Sequence, residues 1–359
     1  MKGAVEAPSE ESLRRRWALF ISLLMNKFER VKAALRREPV DRPPYAFWRH
    51  FPQVDRSAAG LAQSTLRFHE RYGSDMIKLT PSSGSAVEDW GCVESDTVLP
   101  DGHRPCASHA IESPEDWGKI KPLDIEGSAY GRQLETLVRI MVDRRADAPV
   151  VPTLMSPLSL ARKLCGDRLR QDFRERPEAV SQALEAITET LIRFAALAIA
   201  EEAAGIFYAI QAASHRFHTE EEYATFGAPY DRRILESVQG RAHLVIIHAH
   251  GDELMFDRLA ALPAHAQSWD ARATPPSLKE GKAKITGAVM GGLSQWQTLM
   301  EASPDEAVAE ARDAIAQADG LGLILAPGCV IPPAVNDATL IAIAKSLGGT
   351  VQLRGIPPS

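Results

Sequence analysis

Eight short apolar runs recur along this chain, at 45–48, 76–79, 150–154, 206–210, 243–248, 266–269, 285–290 and 321–326. Most are separated from the next by a stretch with helical periodicity, the clearest being 58–72, 131–145, 177–203, 304–318 and 336–347. Buried parallel strands read as continuous hydrophobic runs, and parallel neighbours need a crossover of helical length between them. Eight such units in 359 residues predict an α/β fold, a closed (β/α)₈ TIM barrel rather than a doubly wound sheet. The chain has neither Gly-x-Gly-x-x-Gly nor Gly-x-x-x-x-Gly-Lys-Ser/Thr, which removes two common reasons to expect the doubly wound alternative. Residues 1–40 are expected to form an N-terminal helical extension packed on the barrel, and 41–359 a single barrel domain. In such a fold chemistry sits at the carboxyl ends of the strands.

Two of those ends carry metal-ligand chemistry. The run Val245-Ile246-Ile247-His248-Ala249-His250-Gly251-Asp252 finishes in two imidazoles one residue apart. Alternation along a strand points His248 and His250 the same way, where they can converge on one ion. The run Leu323-Ile324-Leu325-Ala326-Pro327-Gly328-Cys329 delivers a thiol from a second strand end. Two histidines and one cysteine, with a fourth position open, make a catalytic zinc set. Asp252 and Asp270 are candidates to orient a ligand or take a proton, and Tyr208 is a candidate donor into the cavity. Arg49 and His50, after an aromatic run, are candidates to hold an acidic substrate group. His103, Cys106 and His109 form a second cluster, His-x2-Cys-x2-His, in the irregular segment 82–110. It lacks a fourth ligand at structural-zinc spacing, so the segment reads as a loop or lid over the mouth.

Composition narrows the partners. With 41 Lys+Arg against 47 Asp+Glu, a nucleic-acid surface is not expected. Four cysteines at 92, 106, 165 and 329 are too scattered for a disulfide scaffold, which points to a reducing cytoplasm. The apolar stretch 17–25 follows three arginines but is too short to span a membrane, and no small-residue cleavage site follows it. It reads as a helix that packs on the body or on the partner subunit of a homodimer.

Several segments together carry a family resemblance. Lys27-Phe28-Glu29-Arg30-Val31-Lys32-Ala33-Ala34-Leu35, Pro39-Val40-Asp41-Arg42-Pro43-Pro44, Tyr72-Gly73-Ser74-Asp75, Gly291-Gly292 and Ala326-Pro327-Gly328-Cys329-Val330-Ile331-Pro332-Pro333 resemble the uroporphyrinogen decarboxylase superfamily. True decarboxylases of that superfamily carry Arg-Gln-Ala-Gly-Arg after the first strand. Here the place reads Arg49-His50-Phe51-Pro52, and their aspartate after the second strand is missing from Lys78-Leu79-Thr80-Pro81-Ser82. The resemblance therefore implies the zinc-dependent branch, which moves a methyl group between a corrinoid, free or protein-bound, and a small acceptor such as a thiol. That branch uses His-x-Cys and a distant Cys. His248 and Cys329 match, while His250 stands at the first cysteine position. The implied cofactors are Zn2+ and a methylcorrinoid donor, supplied from solution or by a corrinoid protein, since the chain has no Asp-x-His-x-x-Gly corrinoid motif of its own. Competing expectations are a metal-dependent hydrolase or lyase on a small acidic metabolite, a metal-free decarboxylase, and a non-catalytic corrinoid-binding protein.

Overall fold

The structure, a computed structural model, describes residues 25–143 and 145–352. The stretch 17–25 therefore lies, but for its last residue, outside the described residues. The first described helix is α1 (Lys27–Leu35), where Asn26 and Glu29 cap each other's backbone N–H groups. Its Val31 and Ala34 pack with Met76, Ile324 and Ala326, closing one end of the sheet's inner core.

Seven parallel strands form the main sheet: β1 (Ile77–Leu79), β4 (Val150–Met155), β5 (Gly205–Ile210), β6 (Leu244–Ala249), β7 (Ala266–Ser268), β8 (Ala288–Leu293) and β9 (Leu323–Pro327), hydrogen-bonded in that order. Helices α2 (Ala58–Tyr72), α3 (Ala129–Met141), α4 (Pro157–Cys165), α5 (Leu169–Glu175) and α6 (Pro177–Ala200) cover the first half. They are followed by α7 (Glu220–Phe226), α8 (Ala228–Val238), α9 (Phe256–Ala260), α10 (Leu278–Lys284), α11 (Thr298–Glu301), α12 (Pro304–Gln317) and α13 (Asp337–Ser346). A two-stranded antiparallel hairpin, β2 (Val93–Glu94) with β3 (Cys106–Ser108), rises from the segment that the sequence left irregular.

Strand alternation divides the core in two. Leu244, Ile246, Phe207 and Met290 meet inside the curl of the sheet, while Val245, Ile247, Tyr208 and Ile210 face the helices. Parallel register then aligns Phe207 with Ile246 and Ala209 with His248, which aims His248 inward.

The closed eight-stranded barrel is not what forms. The sheet is a curled, open seven-stranded half-barrel with β1 and β9 at its edges. The expected first strand, 45–48, makes one isolated bridge, Tyr45 to Leu325, through Ala46 N–H to the Leu325 carbonyl and Leu325 N–H to the Pro44 carbonyl. Side chains take the donors that a ladder to β1 would need: the Tyr45 N–H goes to the Asp75 carboxylate and the Phe47 N–H to the Ser74 hydroxyl. Pro43 and Pro44 bring no N–H at all. The strand expected at 285–290 runs from 288 to 293, straight through Gly291 and Gly292.

Candidate metal centre

His248 is the penultimate residue of β6, on the inner face, 4% exposed, across from Ser268 of β7. Its Nδ1 lies 3.1 Å from the Ser268 hydroxyl. Its Nε2 is buried and has no hydrogen-bond partner. A buried nitrogen without a partner is costly, and an ion held there would supply one. His250 follows the strand, its backbone N–H tied to the Ile210 carbonyl, with its ring centroid 5.8 Å from that of His248. Cys329 arrives from the loop after β9 and places its sulfur 3.3 Å from His250 Nδ1. One ligand atom from each of the three residues lies within 4.8 Å of the others, so the two strand ends do meet.

The electrostatics match. Burial would push the Cys329 thiol up, but the His250 and His248 charges outweigh it and hold the group well below the ordinary thiol range. The Cys329 charge in turn raises His250 against the desolvation that would lower it. Cys329 is thus poised as the thiolate that metal binding requires. The donor set, two imidazoles and one thiolate, fits zinc with a position open. Removing the Ser268 hydroxyl should loosen the His248 ring: Ser268→Ala is expected to weaken zinc binding about 10–100-fold in a chelator competition, with the fold intact.

The other candidate residues separate. Asp270 packs against the Cys329 loop so closely that a Cβ on Gly328 would come 2.5 Å from its Cγ. Burial raises its carboxyl, while the N–H groups of Arg272 and Ala273 bind one oxygen. Asp252 is exposed and pairs with Arg216. Tyr208 lies on the outer face, fully buried, and donates to Asp231, which also accepts from Tyr223. The structure does not bring Tyr208 to the site, because its parity along β5 is that of Ile206 and Ile210, not Phe207. Tyr208→Phe should therefore lower stability by about 1–3 kcal/mol, by stripping a buried carboxyl of one donor, and leave zinc stoichiometry unchanged. Arg49 also turns away: its guanidinium sits over Phe51 and Phe68 and donates to the Pro333 carbonyl. His50 does line the cavity, and burial lowers it to about 4, so it is neutral near neutral pH.

Around the centre is a cavity of about 340 Å³, walled by His248, His250, Cys329, His50, Lys78 and Trp296, among others. Lys78 escaped the sequence reading. It is 6% exposed, its ammonium 4.6 Å from the Phe207 ring centroid and bonded to the Thr80 hydroxyl. Burial brings it down to about 7, with the Cys329 charge working the other way. A charged residue inside the apolar run Met76-Ile77-Lys78-Leu79 was the signal that could have found it. Lys163 and the Asp101–His103 pair close the same cavity from α4 and the hairpin. Among the described residues one other group of this kind occurs, Cys92, Cys106 and His109; His103 is not part of it.

The methylcobamide:CoM methyltransferase MtbA of Methanosarcina mazei is 23% identical over 343 residues, covering 89% of this chain and 97% of the relative. The MtbA of Methanosarcina acetivorans matches to the same extent. A solved methyltransferase from Methanosarcina mazei superposes with a TM-score of 0.75 at 21% identity, over 90% of this chain and 99% of its own. A B12-independent methionine synthase from Shewanella sp. W3-18-1 shares the fold more loosely, with a TM-score of 0.54 at 13% identity over 86% of this chain and 92% of its own. The sequence pattern of the uroporphyrinogen decarboxylase (URO-D) family matches residues 26–347, nearly the whole described chain, and the protein belongs to that family.

Proposed function

We propose that the protein is a zinc-dependent methyltransferase that moves a methyl group between a corrinoid and a small acceptor. The observation that carries this reading is the partnerless, buried Nε2 of His248 beside the Cys329–His250 pair. Full-length similarity to two methylcobamide:CoM methyltransferases supports the choice of reaction. His248, His250 and Cys329 would hold the metal. Bound zinc supplies Lewis acidity that favours the anionic form of an acceptor thiol or hydroxyl. With imidazole in place of one thiolate, the site carries one negative charge less than a His-Cys-Cys set, which strengthens that acidity.

The chain's own residues do the rest. Lys78 and Lys163 supply the positive charge for an acidic tail, while neutral His50 offers an unpartnered Nδ1 to a polar group of the acceptor. Asp270, wedged against Gly328, positions the loop that presents Cys329. A cavity of about 340 Å³ takes a small acceptor but not a corrinoid, which would have to be presented from outside it. Trp296, 45% exposed and lining the cavity, would offer it an apolar face. Lys78→Met is expected to raise the acceptor KM about tenfold or more with kcat little changed, as for a group that binds the tail equally in ground and transition states.

The direct test incubates zinc-loaded protein with methylcobalamin and a panel of small thiols. The expected result is zinc-dependent loss of the methyl–cobalt absorbance, matched by one thioether formed per methyl lost. Loss of no methyl group with any thiol, or hydrolysis of the acceptor instead, would contradict the reading.

A further inference from the structure

The second cluster is built from parts that the centre above does not use. Cys92, 6% exposed, lies just ahead of β2; Cys106 opens β3; and His109 follows it. One ligand atom from each lies within 4.8 Å of the other two. His109 Nδ1 is 3.5 Å from the Cys106 sulfur and 2.9 Å from the Lys163 carbonyl oxygen. The Cys92 sulfur points to that same carbonyl at 3.6 Å. Two sulfurs, an imidazole nitrogen and a carbonyl oxygen thus surround one point between the hairpin and the last turn of α4. Gly166 makes the approach feasible, because a Cβ there would come 2.9 Å from His109 Nε2 and push the ring away.

We propose that Cys92, Cys106 and His109 form a second, structural zinc site, which staples the β2–β3 hairpin to the end of α4. Two thiolates and an imidazole suit a thiophilic ion, and the fourth position falls to the Lys163 carbonyl or to solvent. On binding, both thiols release their protons to solvent, and the Nδ1–H that donates to the Lys163 carbonyl shifts to Nε2, which frees Nδ1 to ligate. The staple has a consequence at the centre. The hairpin strands are two and three residues long, too short to fix a lid alone. Yet the loop they carry delivers Asp101 and His103 to the wall of the cavity. Zinc here would hold that wall in place without touching the reacting groups.

Zinc per chain, measured after reconstitution in reducing buffer and gel filtration, tests this apart from the methyltransferase reading. Full-chain wild type should hold two equivalents, one per cluster. Cys329→Ala should keep one and Cys106→Ala should keep one. His109→Gln serves as a second probe should Cys106→Ala fold poorly. Cobalt-loaded Cys329→Ala should show the charge-transfer absorbance of two thiolates, and zinc should slow amide exchange over residues 92–110 in that variant. Zinc lost entirely from Cys329→Ala, or wild-type stoichiometry kept in both Cys106→Ala and His109→Gln, would overturn the proposal. So would a Cys92–Cys106 disulfide that persists in reducing buffer and excludes the second equivalent. One equivalent in the wild type that survives Cys329→Ala and disappears in Cys106→Ala would uphold this site and sink the zinc role of the other.

Discussion

Replacing His248 by alanine is expected to empty the central site and lower methyl transfer by roughly a hundred- to thousandfold. The reason lies in what the other two ligands do without it. His250 and Cys329 already satisfy each other at 3.3 Å, so a two-residue remainder closes into a thiolate–imidazolium pair. His248 is the member whose buried Nε2 meets no hydrogen-bond partner, while its Nδ1 lies against the Ser268 hydroxyl. The loss should be visible as one fewer zinc equivalent and as failure to demethylate methylcobalamin. Undiminished transfer in a variant shown to lack the ion would mean that the metal has no part in the reaction.

The second large effect concerns folding. Asp75 is fully buried, and its carboxylate accepts from Arg30, Arg42 and the Tyr45 N–H. Its own N–H returns to the Tyr45 carbonyl. This one residue therefore joins α1, the Pro43-Pro44 turn and the strand-like segment that bridges the open side of the sheet. Asp75→Ala should cost about 3–5 kcal/mol, because it leaves buried guanidinium charge and a backbone donor uncompensated. Arg30 would keep Asp41, which favours the lower half of that range. Urea unfolding gives the number directly, and a change below about 1 kcal/mol would show that the network is not what holds this side together.

Much of the arrangement was legible because it follows from periodicity. Apolar runs marked seven sheet strands within a few residues, and the two-residue spacing of His248 and His250 with the thiol at Cys329 pointed to three side chains that the fold does bring together. What failed to show was pairing. The segment 45–48 has the composition of a strand, but whether its N–H groups meet a neighbouring backbone or the side chains of Ser74 and Asp75 is a tertiary matter. Tyr208 was misplaced for a related reason: in a run buried on both faces, nothing in composition separates the side that faces the cavity from the side that faces the helices. Register against β6 decides it. The segment 82–110 hid a hairpin because its strands are shorter than any pattern can reveal, and so Cys92, distant in sequence, displaced His103 beside Cys106 and His109.

In the proposed metal centre two imidazole nitrogens and one sulfur share an ion in the curl of the sheet. Zinc K-edge X-ray absorption on reconstituted Cys106→Ala protein, which removes the hairpin cluster from the signal, tests it most directly. The expected result is one equivalent of zinc bound by two imidazole nitrogens at about 2.0–2.1 Å and a single sulfur at about 2.3 Å, and no bound zinc after a further Cys329→Ala substitution. Protein that stays free of zinc after reconstitution, or bound zinc with no sulfur neighbour, would contradict it.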